Sequence, residues 1–503
     1  MNRYTRLNNM SKYIICFFFC QNLFCQNAIK IIQSDQLDQL TINDTVFQKF
    51  SGNVIIEYQD FTINCDNILM DQNKESVTGW GKAHVFNDTI RCKTDSLTIK
   101  QFENIIFLYK NTVITTNQIQ IDSDQVQYNY ENNELRYFNG GIVSTENYKI
   151  TSQNLIHQIE NELSKFQNFV ILETDNYKIL TKELTHKDQI IDFVGETSIE
   201  NSKFLIHCEK GLFKKNDIFK IYNQKTIDSY NREIQSDTLF IDLKNDENYF
   251  KNNVEIMINP DTYIIAEYVK QNDQFSYIYD DSYIKLLNKS DSILISGDTI
   301  KIHDQEEKLE IINNIIIEGK ELEGSCQNMQ FKNQYKYIYM YSNPVLWVHD
   351  TQITGDEIEL YVKANQLDSI HIPSNPFVIS PCEASDNYNQ IKGKFLSGKF
   401  EDEQIEYVKV MGNSKMKYFE QQKPESSIIG LNNIESGSLR LLFDKNSVKQ
   451  VISINQIESD YIELDMKNHT KKTKELLYFN DFELINRLFI QNKSTINDTP
   501  LTD

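Results

Sequence analysis

The sequence has few of the two residues that most often interrupt regular structure. Its 503 residues include 7 prolines and 16 glycines, where average usage would give roughly 25 and 35. No proline precedes Pro260. Because proline cannot donate to a sheet ladder and glycine weakens the interior of regular elements, this scarcity predicts a long, regular architecture.

Positive charge is also scarce. Lys and Arg total 51 against 72 Asp and Glu, which gives a formal net charge of −21. Nucleic-acid binding without sequence preference needs clustered positive charge, so the composition excludes nucleic acid as a partner. At 40% hydrophobic and 12% aromatic residues, the chain still has ample apolar surface to bury, and disorder is not predicted.

The residue types that act in catalysis or metal binding do not form recognisable motifs in this sequence. The eight histidines are scattered, with no HExxH motif and no pair at i, i+4. Without residues 1–25, five cysteines remain and none forms a CxxC pair. The sequence therefore predicts no metal site, no cofactor, no disulfide-rich scaffold and no catalytic residue. Those five cysteines are Cys65, Cys92, Cys208, Cys326 and Cys382.

Residues 1–25 have the layout of a secretory signal peptide. Arg3, Arg6 and Lys12 precede the apolar run 13–19, and no acidic residue occurs before Asp35. This order of a basic and then an apolar segment is typical of export signals that are cleaved. An uncleaved amphipathic anchor is the alternative for this segment.

The dominant feature of the chain is an internal repeat. The pattern apolar–x–small–polar–x–apolar, as in INCDNI from Ile63, recurs eleven times at intervals of 27 to 31 residues. About ten residues upstream of most copies lies a β-branched run such as GNVIIEY from Gly52. Each unit of about 29 residues therefore reads as two strands and two turns. The copies begin at Ile63, Cys92, Ile121, Ile150, Ile179, Ile206, Ile234, Ile264, Ile295, Cys326 and Ile353.

Stacking such units predicts an all-β fold with little helix. The fold class we expect is an elongated open β-jelly-roll or β-solenoid of about eleven 29-residue repeats, with a smaller β-rich C-terminal part. Pro373, Pro376 and Pro381 mark the expected boundary. The predicted organisation is a signal peptide (1–25), the repeats (26–372), the C-terminal β-rich region (373–490) and a frayed tail (491–503).

The polar position of the pattern predicts a corner in the strand. The two apolar residues of the pattern lie five apart, which breaks the period of two and requires a bulge between them. The small residue admits close backbone approach, and the acidic side chain can bond local amides. The expected corner residues are Asp66, Asp95, Asp124, Asp237, Asp298 and Asp356.

These features resemble a known family. A secretory leader followed by GNV…INCDNI, GDTI and GDEI units is similar to the OstA/LptA-like periplasmic proteins of lipopolysaccharide transport. The segments SNPVLW, ITGDEIEL, SNPFVIS, YNQIKGK and VKVMGNSKMKYF resemble the long OstA-like form found in the Bacteroidetes. The resemblance covers most of the chain from about residue 30 to about 460, and the order and period of the motifs carry it.

The resemblance implies a non-enzymatic periplasmic protein with a jelly-roll open at both ends. Its apolar interior would shield the lipid A acyl chains of lipopolysaccharide, and stacked modules would bridge the inner and outer membranes. The implied partners are lipopolysaccharide and other jelly-roll transport proteins of the two membrane complexes, docked through edge strands. Head-to-tail self-association is a further expectation.

A lipid with several acyl chains needs a continuous apolar trough, and inward residues of successive repeats align to form one. A packed core without a groove is the alternative for the same residues. The expected groove residues are Val54, Ile56, Ile63, Cys92, Ile121, Ile150 and Ile179.

Two other functions fit an exported repeat protein. A β-solenoid enzyme acting on polysaccharide would need several charged side chains converging on one face, whereas the repeat Asp positions recur at every level. An adhesin or structural solenoid would have a dry core and would leave surface lipopolysaccharide unchanged when it is depleted.

Overall fold

A computed structural model describes most of the chain. The described residues are 29–42, 45–71, 76–214, 218–279, 281–287, 292–306, 308–320, 322–332, 336–363, 366–382, 385–401, 404–422, 427–444, 447–464 and 474–490. The predicted signal peptide and the predicted frayed tail lie outside them. Within the described residues, no helix has the length and apolar character needed to cross a membrane.

Strands dominate the described residues. The first nineteen are β1 Lys30–Gln33, β2 Gln36–Ile42, β3 Thr45–Tyr58, β4 Phe61–Asp71, β5 Ser76–Phe86, β6 Arg91–Lys100, β7 Ile105–Thr115, β8 Gln120–Asn129, β9 Glu134–Tyr137, β10 Gly141–Ser144, β11 Lys149–Ser152, β12 Asn154–Gln158, β13 Leu163–Glu173, β14 Lys178–Lys187, β15 Ile190–Glu200, β16 Phe204–Lys214, β17 Ile218–Asp228, β18 Glu233–Asp242 and β19 Glu247–Asn259.

The remaining elements include one short helix. They are β20 Thr262–Gln271, β21 Phe275–Tyr279, β22 Tyr283–Leu287, β23 Ser292–Ser296, β24 Thr299–His303, β25 Lys308–Glu318, β26 Leu322–Lys332, β27 Tyr337–Tyr341, β28 Val345–Val348, β29 Thr351–Thr354, β30 Glu357–Lys363, β31 Gln366–Ile372, β32 Phe377–Cys382, β33 Ser385–Lys392, β34 Phe395–Glu401, β35 Gln404–Gln422, β36 Ser427–Asp444, β37 Ser447–Ile454, β38 Glu458–Glu463 and α1 Lys474–Leu477.

The strands run as a meander. Each passage of the chain across the sheet, here called a crossing, pairs antiparallel with the next one from β3 to β16 and again from β18 onward. Some crossings are one long strand, such as β4, and others are two short strands in line, such as β23 and β24. Each repeat spans two crossings, because the pattern beginning at Ile63 lies on β4 and the next, at Cys92, lies on β6. The all-β prediction is confirmed.

A bulge near the middle of the long strands switches which side chains face inward. On β4 the inward residues are Phe61, Ile63 and Cys65 before the switch, then Ile68 and Met70 after it. The register against β3 shifts at the same point. Both halves of the strand therefore bury apolar side chains on one side of a bent sheet.

The described residues divide into two compact units, one up to Tyr222 and one from Asn223 onward, and the division falls within β17. The boundary predicted from the prolines near residue 373 stays a prediction. Around it the strands continue, since β31 pairs with β34 and β32 pairs with β33.

Candidate functional site

The second unit contains a cavity of about 820 Å³. This volume lies within the range of ligand-binding clefts in proteins. Its walls come from turns and strand ends between β17 and β31. The lining residues are Ser229, Tyr230, Asn231, Arg232, Ile258, Asn259, Pro260, Asp261, Thr262, Leu286, Leu287, Ile293, Ile302, His303, Asp304, Leu322, Lys336, Ile338, Leu360, Val362 and Leu367.

Most of the cavity surface that strands contribute is apolar. On β30, for example, Leu360 faces the cavity and is 2% exposed, and Ile338 on β27 is paired with it across the sheet. Alternation along a strand places Leu360 inward and the adjacent Glu359 outward. An apolar wall of this kind favours hydrocarbon over polar groups.

One wall carries a buried ion-pair cluster. Arg232 Nη1 lies 2.6 Å from Asp304 Oδ1, and Arg232 Nη2 lies 2.6 Å from Asp228 Oδ2. The three side chains are 7%, 0% and 7% exposed for Arg232, Asp304 and Asp228. Ser276 Oγ also donates to Asp304 Oδ2 at 3.5 Å. We refer to Asp228, Arg232 and Asp304 as the clasp.

Burial and charge act in opposite directions on the clasp. Burial disfavours the charged guanidinium, but the carboxylates of Asp228 and Asp304 outweigh it and raise the pKa of Arg232. The pKa of Asp304 is raised, with burial as the largest cause and the nearby Asp228 as a second one, although the adjacent Arg232 acts to lower it. The arginine is therefore firmly charged, whereas burial opposes the ionisation of Asp304.

The clasp joins the two opposite rims of the sheet, which are the edges where the chain turns from one crossing to the next. Arg232 immediately precedes β18, and Asp304 immediately follows β24. Five crossings lie between them, an odd number, so the two residues belong to opposite rims. Their contact shows that the sheet of the second unit bends until its rims meet beside the cavity.

The rims of the first unit meet through aromatic residues instead. The hydroxyls of Tyr58 and Tyr130 are hydrogen bonded, and their rings lie edge to face with centroids 5.4 Å apart. Phe61 and Tyr128 form a second edge-to-face pair at 5.3 Å. A void that Phe61 and Tyr128 help to line has a volume of only about 10 Å³. The interior at this level is closely packed.

The seven residues predicted to form a groove all lie in the interior of the first unit. Six are 0% exposed and Cys92 is 4% exposed. From Ile63 onward, successive residues of this set lie on alternate crossings; Ile121 on β8, for example, pairs with Ile114 on β7, which pairs with Cys92 on β6. The structure thus brings them together as one apolar interior, and the 820 Å³ cavity lies elsewhere, among residues 229–367.

Four of the six predicted corner residues lie at mid-strand bulges, and Asp298 and Asp356 lie between two short strands in line. Four of the six accept a hydrogen bond from an asparagine side chain on the next crossing, and Asp66 lies against Gly81. Asp124 lies on β8 at the register shift between β7 and β8. The four bonds are Asn111 to Asp95 at 2.9 Å, Asn253 to Asp237 at 2.8 Å, Asn314 to Asp298 at 2.9 Å and Asn375 to Asp356 at 2.7 Å.

The cysteine side chains occupy apolar surroundings. All five are buried and unbonded to one another. Burial raises the pKa of Cys65 to about 11 and that of Cys208 to about 12, so neither thiol is poised as a nucleophile. Among the described residues, no group of three or more His, Cys, Asp or Glu side chains is placed to hold a metal ion.

Sequence reasoning did not identify the clasp or the cavity residues. Arg232 is one of seven arginines and the only one between residues 137 and 439. An arginine isolated within a long series of strands was the available signal. The cavity itself depends on contacts between rims, which a repeat pattern does not encode.

Comparisons with known proteins place most of the repeat region in one group of families. Residues 26–183 match the family described as "OstA-like protein", and residues 233–366 match the family described as "LptA/(LptD N-terminal domain) LPS transport protein". A search of curated protein sequences finds no match.

Among solved structures, the chain is similar to the crystal structure of LptH from Pseudomonas aeruginosa. LptH is described as the LptA homologous periplasmic component of the conserved lipopolysaccharide transport device. The identity is 12% and the TM-score 0.20, over 22% of this chain and 82% of that chain. By these two matches, residues 26–183 belong to the OstA-like proteins and residues 233–366 to the LptA/LptD N-terminal family of LPS transport proteins.

Proposed function

We propose that the chain is a non-enzymatic periplasmic carrier that shields the acyl chains of lipopolysaccharide on their way from the inner to the outer membrane. The observation that supports this most directly is the 820 Å³ cavity with its apolar walls. Transfer of hydrocarbon from water into such a cavity is favourable by about 0.8 kcal/mol for each CH₂ group. Two or three acyl chains would therefore supply ample binding energy without any chemical step.

The first unit would bind acyl chains as well only if its interior opens. Val54, Ile56 and Ile63 are fully buried, as are Ile121, Ile150 and Ile179. A lipid chain reaching them must separate the aromatic contacts at the rims. We propose that these residues, with Cys92, line a groove of the first unit when a lipid is present.

The close packing around the small void beside Phe61 and Tyr128 also favours one competing function, a structural solenoid with a dry core. That alternative explains the void of about 10 Å³ in the first unit but gives no role to the cavity in the second unit. The two functions differ in what happens to lipopolysaccharide in the cell, and an experiment can separate them.

Docking to other transport proteins would use the first and last strands. In the described part of the chain, β1 and β2 each pair only with β3, which leaves one edge of each unpaired. Leu37 and Leu40 on β2 are 57% and 38% exposed. Unpaired edges with apolar side chains favour addition of a strand from another protein, and we propose that they join this chain to membrane-bound partners.

Depletion of the protein in its native host tests the proposed function. We expect lipopolysaccharide to accumulate in the inner-membrane fraction, and expression of the wild-type chain to restore its export. A Leu360→Arg variant, which places a charge in the cavity, should not restore export. The matched Glu359→Arg variant changes the neighbouring outward residue and should restore it. Normal distribution of lipopolysaccharide after depletion would instead favour the structural solenoid.

A further inference from the structure

The C-terminal segment 476–490 crosses the outer face of the second unit's sheet. It lies along a single row of side chains that adjacent strands bring into register. The row is Glu318, Glu323, Trp347, Gln352, Ile379, Gln390 and Lys417, on β25, β26, β28, β29, β32, β33 and β35. We call this set the row and residues 476–490 the strap.

Five of the seven residues in the row are buried although the row lies on the face opposite the interior. Inward residues of the same strands, such as Leu346 and Ile353, are 0% and 5% exposed. Their outward neighbours Trp347 and Gln352 are each 4% exposed, and Gln390 is 0% exposed. Both faces of the sheet are therefore covered at this point, and the strap provides the outer cover.

Two glutamines in the row hold the strap by its backbone. Gln390 Nε2 donates to Leu477 O at 3.1 Å, and its Oε1 accepts from Phe479 N at 2.8 Å. Gln352 Nε2 donates to Glu483 O at 2.9 Å, and its Oε1 accepts from Ile485 N at 2.9 Å. Each side-chain amide thus bonds one carbonyl and one N–H of the strap, as a neighbouring β-strand would.

Charged side chains fix the two ends of the strap. At one end, Lys417 Nζ donates to Leu476 O at 2.7 Å. At the other end, Arg487 Nη1 lies 3.2 Å from Glu323 Oε2, and Nη2 donates to His349 O at 2.6 Å. These contacts set the direction of the strap along the row, because exchanging its ends would put Arg487 beside Lys417.

Between these ends, aromatic side chains of the strap pack against aromatic side chains of the sheet. Phe479 packs edge to face against Phe377 with centroids 6.2 Å apart, and Lys392 Nζ lies 4.6 Å from the centroid of Phe479. Phe482 lies 5.9 Å from the ring of Tyr388. Side-chain pockets together with backbone clamps are how proteins recognise short linear peptides.

We propose that the row is a peptide-binding site and that the strap of a second copy of this chain can occupy it. The strap pairs with no strand in the described residues. Its hydrogen bonds are made to the row and to neighbouring residues, and Leu477 also packs against a hydrophobic cluster that includes Phe419 and Leu464. Nothing in those contacts requires strap and row to belong to the same molecule, while the charge pattern of Arg487 with Glu323 and Asp481 with Lys392 suits this sequence in particular. Exchange of straps would link copies of the chain, and it does not depend on lipid binding.

Two full-length variants with complementary defects test this proposal. The donor, Gln352→Met with Gln390→Met, loses both clamps but keeps the strap. The acceptor, Phe479→Ala with Arg487→Ala, keeps the row but loses two of the strap's anchors. Hydrogen exchange of the Phe479 and Ile485 amides is measured in the donor, alone and mixed with the acceptor, and light scattering gives the mass of each sample.

In the donor alone, we expect these two amides to exchange at least about tenfold faster than in the wild type, since their acceptors are gone. Addition of the acceptor should slow the exchange again and produce a particle of twice the mass. A Gln330→Met chain, changed at an outward glutamine on β26 away from the strap, should behave as the wild type. Slow exchange in the donor alone, or a mixture that stays monomeric with fast exchange, would each overturn the proposal.

Discussion

Arg232 and Asp304 lie 72 positions apart in the sequence, and their side chains join opposite rims of the sheet at 2.6 Å beside the cavity. The same separation of 72 residues links Tyr58 to Tyr130 in the first unit. Closure after five crossings is thus common to both units. The residues that make it differ, with an ion pair beside the cavity and aromatic rings beside the packed interior.

Loss of the arginine should destabilise the second unit. Arg232→Met leaves Asp228 and Asp304 buried without their positive partner, and removal of one member of a buried ion pair costs about 3–5 kcal/mol. Urea denaturation measures this as a lower midpoint for the second unit. Lys415→Met is the control, because the Lys415–Glu435 pair is well exposed and should contribute at most about 1 kcal/mol. Equal effects of the two changes would contradict a structural role for the clasp.

The stability of the first unit should depend on pH through a buried histidine. Burial lowers the pKa of His157 from 6.5 to about 4, and its Nδ1 lies 2.9 Å from Ser164 Oγ. Because the unfolded chain binds a proton at higher pH than the folded chain does, the free energy of unfolding should fall as pH drops from 6.5 toward 4. The loss attributable to His157 is about 3 kcal/mol at most.

A His157→Gln variant isolates this effect. Its free energy of unfolding should decline less steeply between pH 6.5 and pH 4 than that of the wild type, measured by urea titration at each pH. His84→Gln, which makes the same substitution at an exposed position on β5, is the matched control. If wild type and His157→Gln have parallel profiles, His157 does not remain neutral in the folded protein.

The mid-strand corners should tolerate a methyl group very unequally. Gly81 has φ of +87°, and an added Cβ would lie 2.6 Å from Asp66 Oδ2 and 2.7 Å from Asp66 Cβ. Gly140 has a similar φ of +92° but nothing within 4 Å of an added Cβ. Gly140→Ala should therefore cost about 1 kcal/mol from the backbone alone. Gly81→Ala should cost a further ~1–3 kcal/mol from overpacking, a difference that thermal unfolding resolves.

Much of the fold could be predicted from the sequence because it is local. Alternation of apolar residues, β-branched runs and the parity switch near Asp66 or Asp95 follow from the repeat pattern alone. The clasp could not be predicted, since the pairing of Arg232 with Asp304 depends on how far the sheet bends before its rims meet. The strap escaped prediction for a related reason. Gln352 and Gln390 have the polarity of surface residues, and only the strap across them makes them buried.

The groove residues show where pattern and packing diverge. Ile63 and Ile121 have the inward positions expected of a groove, yet the space beside such residues is filled by neighbouring side chains in the first unit. The volume of a cavity depends on the side chains of all the strands and turns around it, and not on the pattern of one strand. The lipid site that we propose therefore lies in the second unit, where turns and strand ends enclose the cavity of 820 Å³.

A photo-crosslinking amino acid at Leu360 tests the central claim most directly. The side chain points into the cavity, whereas that of the adjacent Glu359 points away from it. After irradiation of cells that carry each variant, we expect lipopolysaccharide to be attached to the chain labelled at position 360 and absent from the chain labelled at 359. Equal labelling at the two positions, or none at either in folded protein, would contradict the account that this cavity carries lipopolysaccharide.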